Sequence, residues 1–275
     1  MTDKEKAYLE HKNTGGTNNE KGNRYESYYA VRTIVRLLNQ YRGKLNDVAI
    51  QSQVPINYLD DLLVIEPAVH TYHQIKNVRG LTWTTGKNGH TLKTDFIGQR
   101  NLCKERKEPF ALRLVYSDIT GSVKKKPRGL NKYTTTEFFP ALDLNALVVG
   151  IPQFQTELRK LLYMGESLPL DRLAVLAKWI LGVWCSDVSK RPVSLDYLDS
   201  EISKNMTDYY SNVSVTISPQ CKNIFDSMGV DYTPSGSKVN IVAAKFTASV
   251  DWSDDLQNRI VAAHPNNIVD LFMLL

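Results

Sequence analysis

The chain has 275 residues, a formal net charge of +5 and 42% hydrophobic residues. This length allows one large domain or two modest ones, and the apolar content is ample for hydrophobic cores. No apolar run approaches the roughly 20 residues that cross a bilayer, and the first residues lack the hydrophobic core of a signal peptide. We therefore expect a cytoplasmic protein that makes no contact with a membrane.

Charge is divided unevenly along the chain. Residues 1–133 hold 23 Lys/Arg and 13 Asp/Glu, whereas residues 134–275 hold 11 and 16. The basic half is suited to a polyanion such as nucleic acid and the acidic half is not, although compositional scatter is an alternative explanation. The three cysteines form no CxxC pair, which disfavours a structural zinc site and indicates reduced thiols.

In chain order, residues 1–22 are polar and are expected to form a flexible arm. Helical spacing of apolar residues begins at Arg24, and Gly43 marks its end. Three runs that are rich in β-branched and aromatic residues follow, separated by prolines. They are predicted to be the strands of a meander: DVAIQSQV, LDDLLVIE and Thr71–Lys76.

A polar loop then leads to a second helix from Asp95 to about Lys107, and FALRLVYSD is apolar enough for a central strand buried on both faces. This order indicates an α/β core with a mixed central sheet flanked by helices. From Pro152 onward the pattern is mainly helical, and it closes with the strand-like run KVNIVAAKFTASV and a short helix through Leu256. We expect three parts: the arm (1–22), a first domain (23–150) and a C-terminal α+β region for assembly or regulation (151–275).

Acidic and polar residues flank two of the predicted strands. Asp60 and Asp61 begin the LDDLLVIE run, and Gln74 and Lys76 end the next strand. Since side chains alternate along a strand, Gln74 and Lys76 face the same way, and either aspartate can face them. We favour Asp61, which lies closer to the regular strand. Glu26 lies near the start of the first helix, where its carboxylate could face the same cleft.

These residue types suit the hydrolysis of a phosphodiester. A hard cation such as Mg²⁺, with Mn²⁺ as a substitute, neutralises the phosphate and lowers the pKa of an attacking water. Asp61 and Gln74 are predicted ligands, Glu26 is a second-sphere or second-metal ligand, and Lys76 would position and polarise the water. Because a glutamine stands where a glutamate is commoner, metal binding is expected to depend strongly on the substrate.

A second group of residues follows the strand motif and is predicted to contact DNA, because its members are basic or aromatic. The group consists of Arg79, Trp83, Lys87, Lys93, Lys124, Lys125, Lys126 and Arg128. The ordinary alternatives are that Trp83 closes the edge of the core and that the basic run is solvated surface charge. His70 and His73 are predicted to be a solvent-side pair and not metal ligands.

Taken in order, Glu26, Leu59-Asp60-Asp61 and Gln74-Ile75-Lys76 resemble the motifs of the PD-(D/E)XK nuclease superfamily in its Gln-x-Lys form. The stretch 23–120 runs from YESYYAVRTIVRLL through DDLLV and HQIK to a Trp loop and a helix. This stretch is similar to the double-stranded DNA endonuclease domain of bacterial anti-phage effectors of the CBASS and Lamassu type. The Pro-Asp dipeptide of the superfamily is absent.

The resemblance implies a restriction-endonuclease-like core, Mg²⁺-dependent cleavage of double-stranded DNA, and control by other defence-system subunits or by homo-oligomerisation. Two alternatives stay open, namely a catalytically silent nuclease-fold scaffold that binds DNA and a site-specific restriction enzyme. Intact Asp61, Gln74 and Lys76 favour cleavage over the scaffold. The acidic second half disfavours a DNA-recognition domain, and its long apolar helices favour assembly.

Overall fold

The computed structural model describes residues 4–6, 20–87, 89–162, 168–186, 191–204, 206, 217–235, 238–244 and 246–275. The chain divides into two compact units: Met1–Leu158 with Pro169–Leu198, and Arg159–Leu168 with Asp199–Leu275.

The first unit is built on a six-stranded mixed sheet. Its strands and those of a small ribbon are β1 (Ala49–Ser52), β2 (Leu62–Ile65), β3 (His70–Lys76), β4 (Gly86–Lys87), β5 (His90–Thr91), β6 (Phe110–Tyr116), β7 (Thr134–Phe138) and β8 (Val193–Ser194). The sheet has the order β7-β6-β3-β2-β1-β8, and β4 pairs with β5 alone. β3, β6 and β7 are parallel, and the other neighbours are antiparallel. The predicted meander and mixed sheet are confirmed.

Helices accompany this sheet in the first part of the chain. They are α1 (Glu20–Gln40), α2 (Leu92–Glu105), α3 (Leu144–Gly150), α4 (Pro152–Lys160), α5 (Leu170–Cys185) and α6 (Leu195–Ser203), and the division between the units passes through α4 and α6. α1 begins at Glu20, inside the predicted arm, whose remaining residues apart from 4–6 lie outside the described ones. The unit around the sheet continues past residue 150, because α5 and β8 belong to it.

The two faces of the sheet pack on different helices because side chains alternate along β3. On one face, His73 contacts Tyr29 of α1, with ring centroids 5.7 Å apart. On the other face, Tyr72 joins the apolar cluster that includes Phe96 of α2 and Leu114 of β6. The residues on both faces are buried. β3 is therefore packed on both sides, which holds its last residues in place.

The second unit contains an α+β core. Its elements are α7 (Pro219–Ser227), β9 (Asp231–Ser235), β10 (Lys238–Ala243), β11 (Phe246–Asp251), α8 (Asp254–Ala263) and α9 (Ile268–Leu274). The strands form an antiparallel sheet in the order β11-β10-β9, and Phe225, Ile241 and Ile260 are buried in its core. The run predicted as one strand is a hairpin, so the mainly helical expectation is incomplete here. No helix among the described residues has the length and apolar character of a membrane span.

Candidate active site

Five residues that were predicted to form a site approach one another at the end of the six-stranded sheet where β3 ends and β2 begins. Leu62 pairs with His73, which places Asp61 level with Gln74 on the neighbouring strand. Alternation then puts Asp61, Gln74 and Lys76 on the same face. We call Glu26, Asp60, Asp61, Gln74 and Lys76 the acidic site.

The carboxylate of Asp61 is the centre of the contacts in the acidic site. Its Oδ2 accepts hydrogen bonds from Gln74 Nε2 and from the backbone N–H of Ile75 at 2.6 Å. The same oxygen lies 3.5 Å from Lys76 Nζ. The Asp61 side chain is 9% exposed and that of Lys76 is 32% exposed, so the ammonium group lies at the solvent side of a buried carboxylate.

Glu26 contributes a second carboxylate from the second turn of α1. Burial raises its pKa to about 8, and the negative charge of Asp61 adds to the rise. Lys76 opposes this effect, Asp60 increases it, and a hydrogen bond from Gln53 lowers the pKa. The electrostatic coupling indicates that Glu26, Asp61 and Lys76 share one poorly hydrated region.

Asp60 belongs to the same region but is held differently. It is 2% exposed, and its backbone carbonyl accepts the N–H of Val54 at 2.8 Å. Its charge acts on Glu26, whereas the contacts with Gln74 and Lys76 are made by Asp61. The structure therefore pairs Asp61 with the Gln-x-Lys motif.

Gln99 of α2 is a positioning residue that the sequence analysis missed. It is fully buried, and its Oε1 accepts the backbone N–H groups of Tyr58 (2.8 Å) and Leu59 (3.2 Å). Its Nε2 donates to Asn57 Oδ1 at 3.0 Å, so one side chain fixes the three residues that precede the aspartates. The sequence did contain a signal for Gln99. It follows Phe96 by three positions, so it is a polar residue on the apolar face of a predicted helix.

Gln53 is a second residue that was missed, and no sequence signal marked it. Its Nε2 donates to Glu26 Oε2 at 3.3 Å. Its backbone has a φ of 50°, a left-handed conformation that is uncommon for residues other than glycine. Such conformations persist where surrounding contacts enforce them, and here the conformation lies at the start of the loop between β1 and β2.

The predicted DNA-contacting cations are mostly at the surface of the first unit. Those whose side chains are exposed are Arg79, Lys93, Lys124, Lys125 and Arg128. Lys126 is half-buried, and its Nζ donates to the backbone carbonyl of Thr134 at 2.8 Å, so it supports the start of β7. The side chain of Lys87 lies outside the described residues.

Trp83 and His73 do not occupy the surface positions that were predicted for them. Trp83 is 7% exposed, and its indole N–H donates to the carbonyl of Val123 at 3.0 Å. It therefore closes the core and is removed from the DNA-contacting set. His73 is fully buried, and burial lowers its pKa to about 3. The predicted solvent-side position is wrong for His73, whereas the half-buried His70 lies 3.4 Å from Glu108.

The chemistry of the acidic site fits a hard divalent cation. Carboxylate and amide oxygens are the donors that Mg²⁺ prefers; burial is the main cause of the raised pKa of Glu26, and a cation would relieve the repulsion from Asp61 that adds to it. Within the described ranges, no three His, Cys, Asp or Glu side chains approach closely enough to hold a metal ion. A cation here would therefore need further ligands, such as the amide oxygen of Gln74.

Comparisons of this chain with protein-family models, with curated proteins and with solved structures find no match.

Proposed function

We propose that this protein is a metal-dependent endodeoxyribonuclease that hydrolyses phosphodiester bonds of double-stranded DNA. The observation that carries the proposal is the convergence of the Asp61 carboxylate, the Gln74 amide and the Lys76 ammonium at one strand end. A buried acid beside a half-exposed ammonium provides both a ligand for a cation and a donor for a phosphate.

Asp61, Gln74 and Glu26 would hold Mg²⁺ or Mn²⁺. When bound, the ion supplies neutralisation of the phosphate and a lower pKa for an attacking water. The backbone N–H of Ile75 keeps the Asp61 carboxylate in place, and Gln53 does the same for Glu26. Lys76 would orient the attacking water and offset the negative charge that develops on the phosphate.

The surface of the first unit supports DNA as the substrate. Exposed cations follow both β3 and β6, among them Arg79, Lys124 and Lys125. The first 133 residues carry ten more Lys/Arg than Asp/Glu, since they hold 23 of one kind and 13 of the other. Such a surface attracts a polyanion with little dependence on sequence.

The resemblance of residues 23–120 to PD-(D/E)XK endonuclease domains supports a more specific role. In this proposal the first unit has a restriction-endonuclease-like core, and the protein is an effector of a bacterial anti-phage system. Control would come from partner subunits or from self-association, and the acidic second half of the chain is the part that we assign to it.

Plasmid cleavage tests this function directly. Supercoiled DNA is incubated with Mg²⁺ and either wild-type protein, Lys76→Ala or the control Lys178→Ala, which removes an exposed lysine of α5. We expect nicked and linear products from wild type and the control, and a loss of at least about 100-fold for Lys76→Ala with an unchanged melting curve. Equal cleavage by Lys76→Ala would overturn the proposal. If wild type leaves DNA intact with every metal and partner, the scaffold alternative replaces it.

A further inference from the structure

We propose that Ile119 is an apolar wedge that inserts between base steps of the DNA beside the acidic site. This inference rests on the proposed function and adds a way of gripping the duplex. Ile119 has 85% of its surface exposed; because single exposed apolar residues are common, the inference depends on the fixed turn that carries it and on the cations around it.

The turn that carries Ile119 (residues 117–121) is held by its neighbours. Asp118 is 7% exposed, and its two carboxylate oxygens accept the backbone N–H groups of Thr120 and Leu81, each at 3.0 Å. Ser117 Oγ donates to Asn77 Oδ1 at 2.8 Å. These contacts fix both sides of the turn. The exposure of Ile119 is therefore a property of an ordered turn and does not come from fraying.

The turn lies next to the acidic site. Tyr116, the last residue of β6, pairs with Lys76, the last residue of β3, and the N–H of Ser117 donates to the Lys76 carbonyl at 3.2 Å. The Cα of Ile119 is at most about 7.6 Å from that of Ser117, because consecutive Cα atoms are about 3.8 Å apart. A duplex whose minor groove receives the wedge can therefore also contact the end of β3.

The surroundings of the turn favour DNA over a protein partner. Arg79 is exposed and lies two residues before Leu81, whose backbone N–H binds Asp118. Lys124 and Lys125 are exposed and follow the turn. The Lys124 N–H donates to the Gly121 carbonyl at 2.9 Å. Aliphatic wedges that are flanked by cations are a feature of proteins that bend or unstack DNA, since the cations bind phosphates and the wedge separates two bases.

Binding to duplexes that contain 2-aminopurine tests the wedge, because the fluorescence of this base rises when it is unstacked. The full chain is compared with Ile119→Ser, with Ile119→Leu and with Val149→Ser, a control whose residue is 59% exposed on α3. Ca²⁺ replaces Mg²⁺ during binding, and cleavage is measured separately with Mg²⁺. We expect Ile119→Ser to weaken duplex binding at least about tenfold and to abolish the fluorescence rise, while Ile119→Leu and Val149→Ser behave as wild type.

The outcomes separate the wedge from the nuclease proposal. If Ile119→Ser binds and unstacks the duplex like wild type while wild type cuts DNA, the wedge is overturned and the proposed function stands. If wild type neither binds nor cuts DNA, both fall. If Ile119→Ser leaves the duplex contacts intact but disrupts a complex with a protein, the turn is a protein-binding element and the wedge is also overturned.

Discussion

Two groups of poorly hydrated charges lie on the same sheet and differ in their balance. Around Glu137 of β7, the carboxylate accepts hydrogen bonds from Arg32 (2.6 Å), Arg113 (3.3 Å) and Tyr29 (2.8 Å); we call these four residues the arginine cluster. In the acidic site, by contrast, burial raises the pKa of Glu26, the carboxylates of Asp61 and Asp60 add to the rise, and the ammonium of Lys76 opposes it.

The arginine cluster has the features of a group of charges that supports the fold, whereas the acidic site is the group that we propose binds a cation. In the arginine cluster, opposite charges satisfy one another, and removing a partner leaves a charge without compensation. In the acidic site, burial and two neighbouring carboxylates together disfavour the charged form of Glu26 in the folded state. Clusters that shift a pKa in this way are concentrated at functional sites.

The largest difference is expected in DNA cleavage. Asp61→Asn neutralises a carboxylate of the acidic site, and Glu137→Gln neutralises the carboxylate of the arginine cluster with the same change in size. We expect cleavage to fall at least about 100-fold in Asp61→Asn, since a ligand is lost, and to stay near wild type in Glu137→Gln at a temperature where both are folded. Rates of plasmid nicking measure this, and similar losses in the two variants would erase the distinction.

The next effect concerns the loop that delivers the aspartates. Gln99→Leu leaves the N–H groups of Tyr58 and Leu59 without their acceptor, at about 1–3 kcal/mol for each buried group. Leu102→Ala in the same helix is the control, because truncating its buried side chain costs about 2–5 kcal/mol. We expect both variants to lose stability in urea titrations and only Gln99→Leu to lose Mn²⁺ affinity in the presence of DNA, as measured by electron paramagnetic resonance. Equal Mn²⁺ affinities in the two variants would mean that Gln99 supports only the fold and does not position the acidic site.

A smaller effect should appear in the stability of the arginine cluster. Glu137→Gln leaves two arginines with weaker partners, and their side chains are 22–23% exposed, so we expect the free energy of unfolding to fall by about 1–3 kcal/mol. Asp61→Asn removes repulsion with Glu26 along with the ion pair to the partly exposed Lys76, so these opposing effects should change stability less than Glu137→Gln does. Urea unfolding of both variants at pH 7 checks this, and the reverse order would contradict the assignment of roles.

The smallest effect, per unit of pH, is the dependence of stability on pH. The pKa of Glu26 rises from 4.5 to about 8 on folding, so between these values the folded state binds more protons than the unfolded state. Stability without metal should therefore be fully present below pH 4.5 and be lost as the pH rises toward 8, by at most about 1.4 kcal/mol per pH unit. Glu26→Gln should flatten the dependence of the unfolding free energy on pH. A steeper loss of stability with rising pH in Glu26→Gln than in wild type would contradict the raised pKa of Glu26.

Local pattern was enough to predict the meander, the central β6 strand and the grouping of Asp61, Gln74 and Lys76. These features follow from alternation along short strands that are adjacent in sequence. The choice between Asp60 and Asp61 needed the register of β2 against β3, which periodicity alone does not fix.

Features that depend on distant contacts were missed. Gln99 reaches Tyr58 across 41 positions, and β8 joins the sheet by pairing with β1 from a part of the chain that reads as helical. Trp83 and His73 were misplaced because their neighbours in sequence are polar, whereas burial is set by residues such as Phe96 and Tyr29 that pack on them from other elements.

The central claim is that the excess of carboxylates in the acidic site binds a divalent cation when DNA is present. Anomalous diffraction from crystals of the protein grown with Mn²⁺ and a short duplex tests it most directly. We predict one or two Mn²⁺ peaks in contact with Asp61 and Gln74, with Glu26 nearby, and no such peak in crystals of Asp61→Asn. A bound duplex with no Mn²⁺ at Asp61, or with Mn²⁺ only at other carboxylates, would contradict the account.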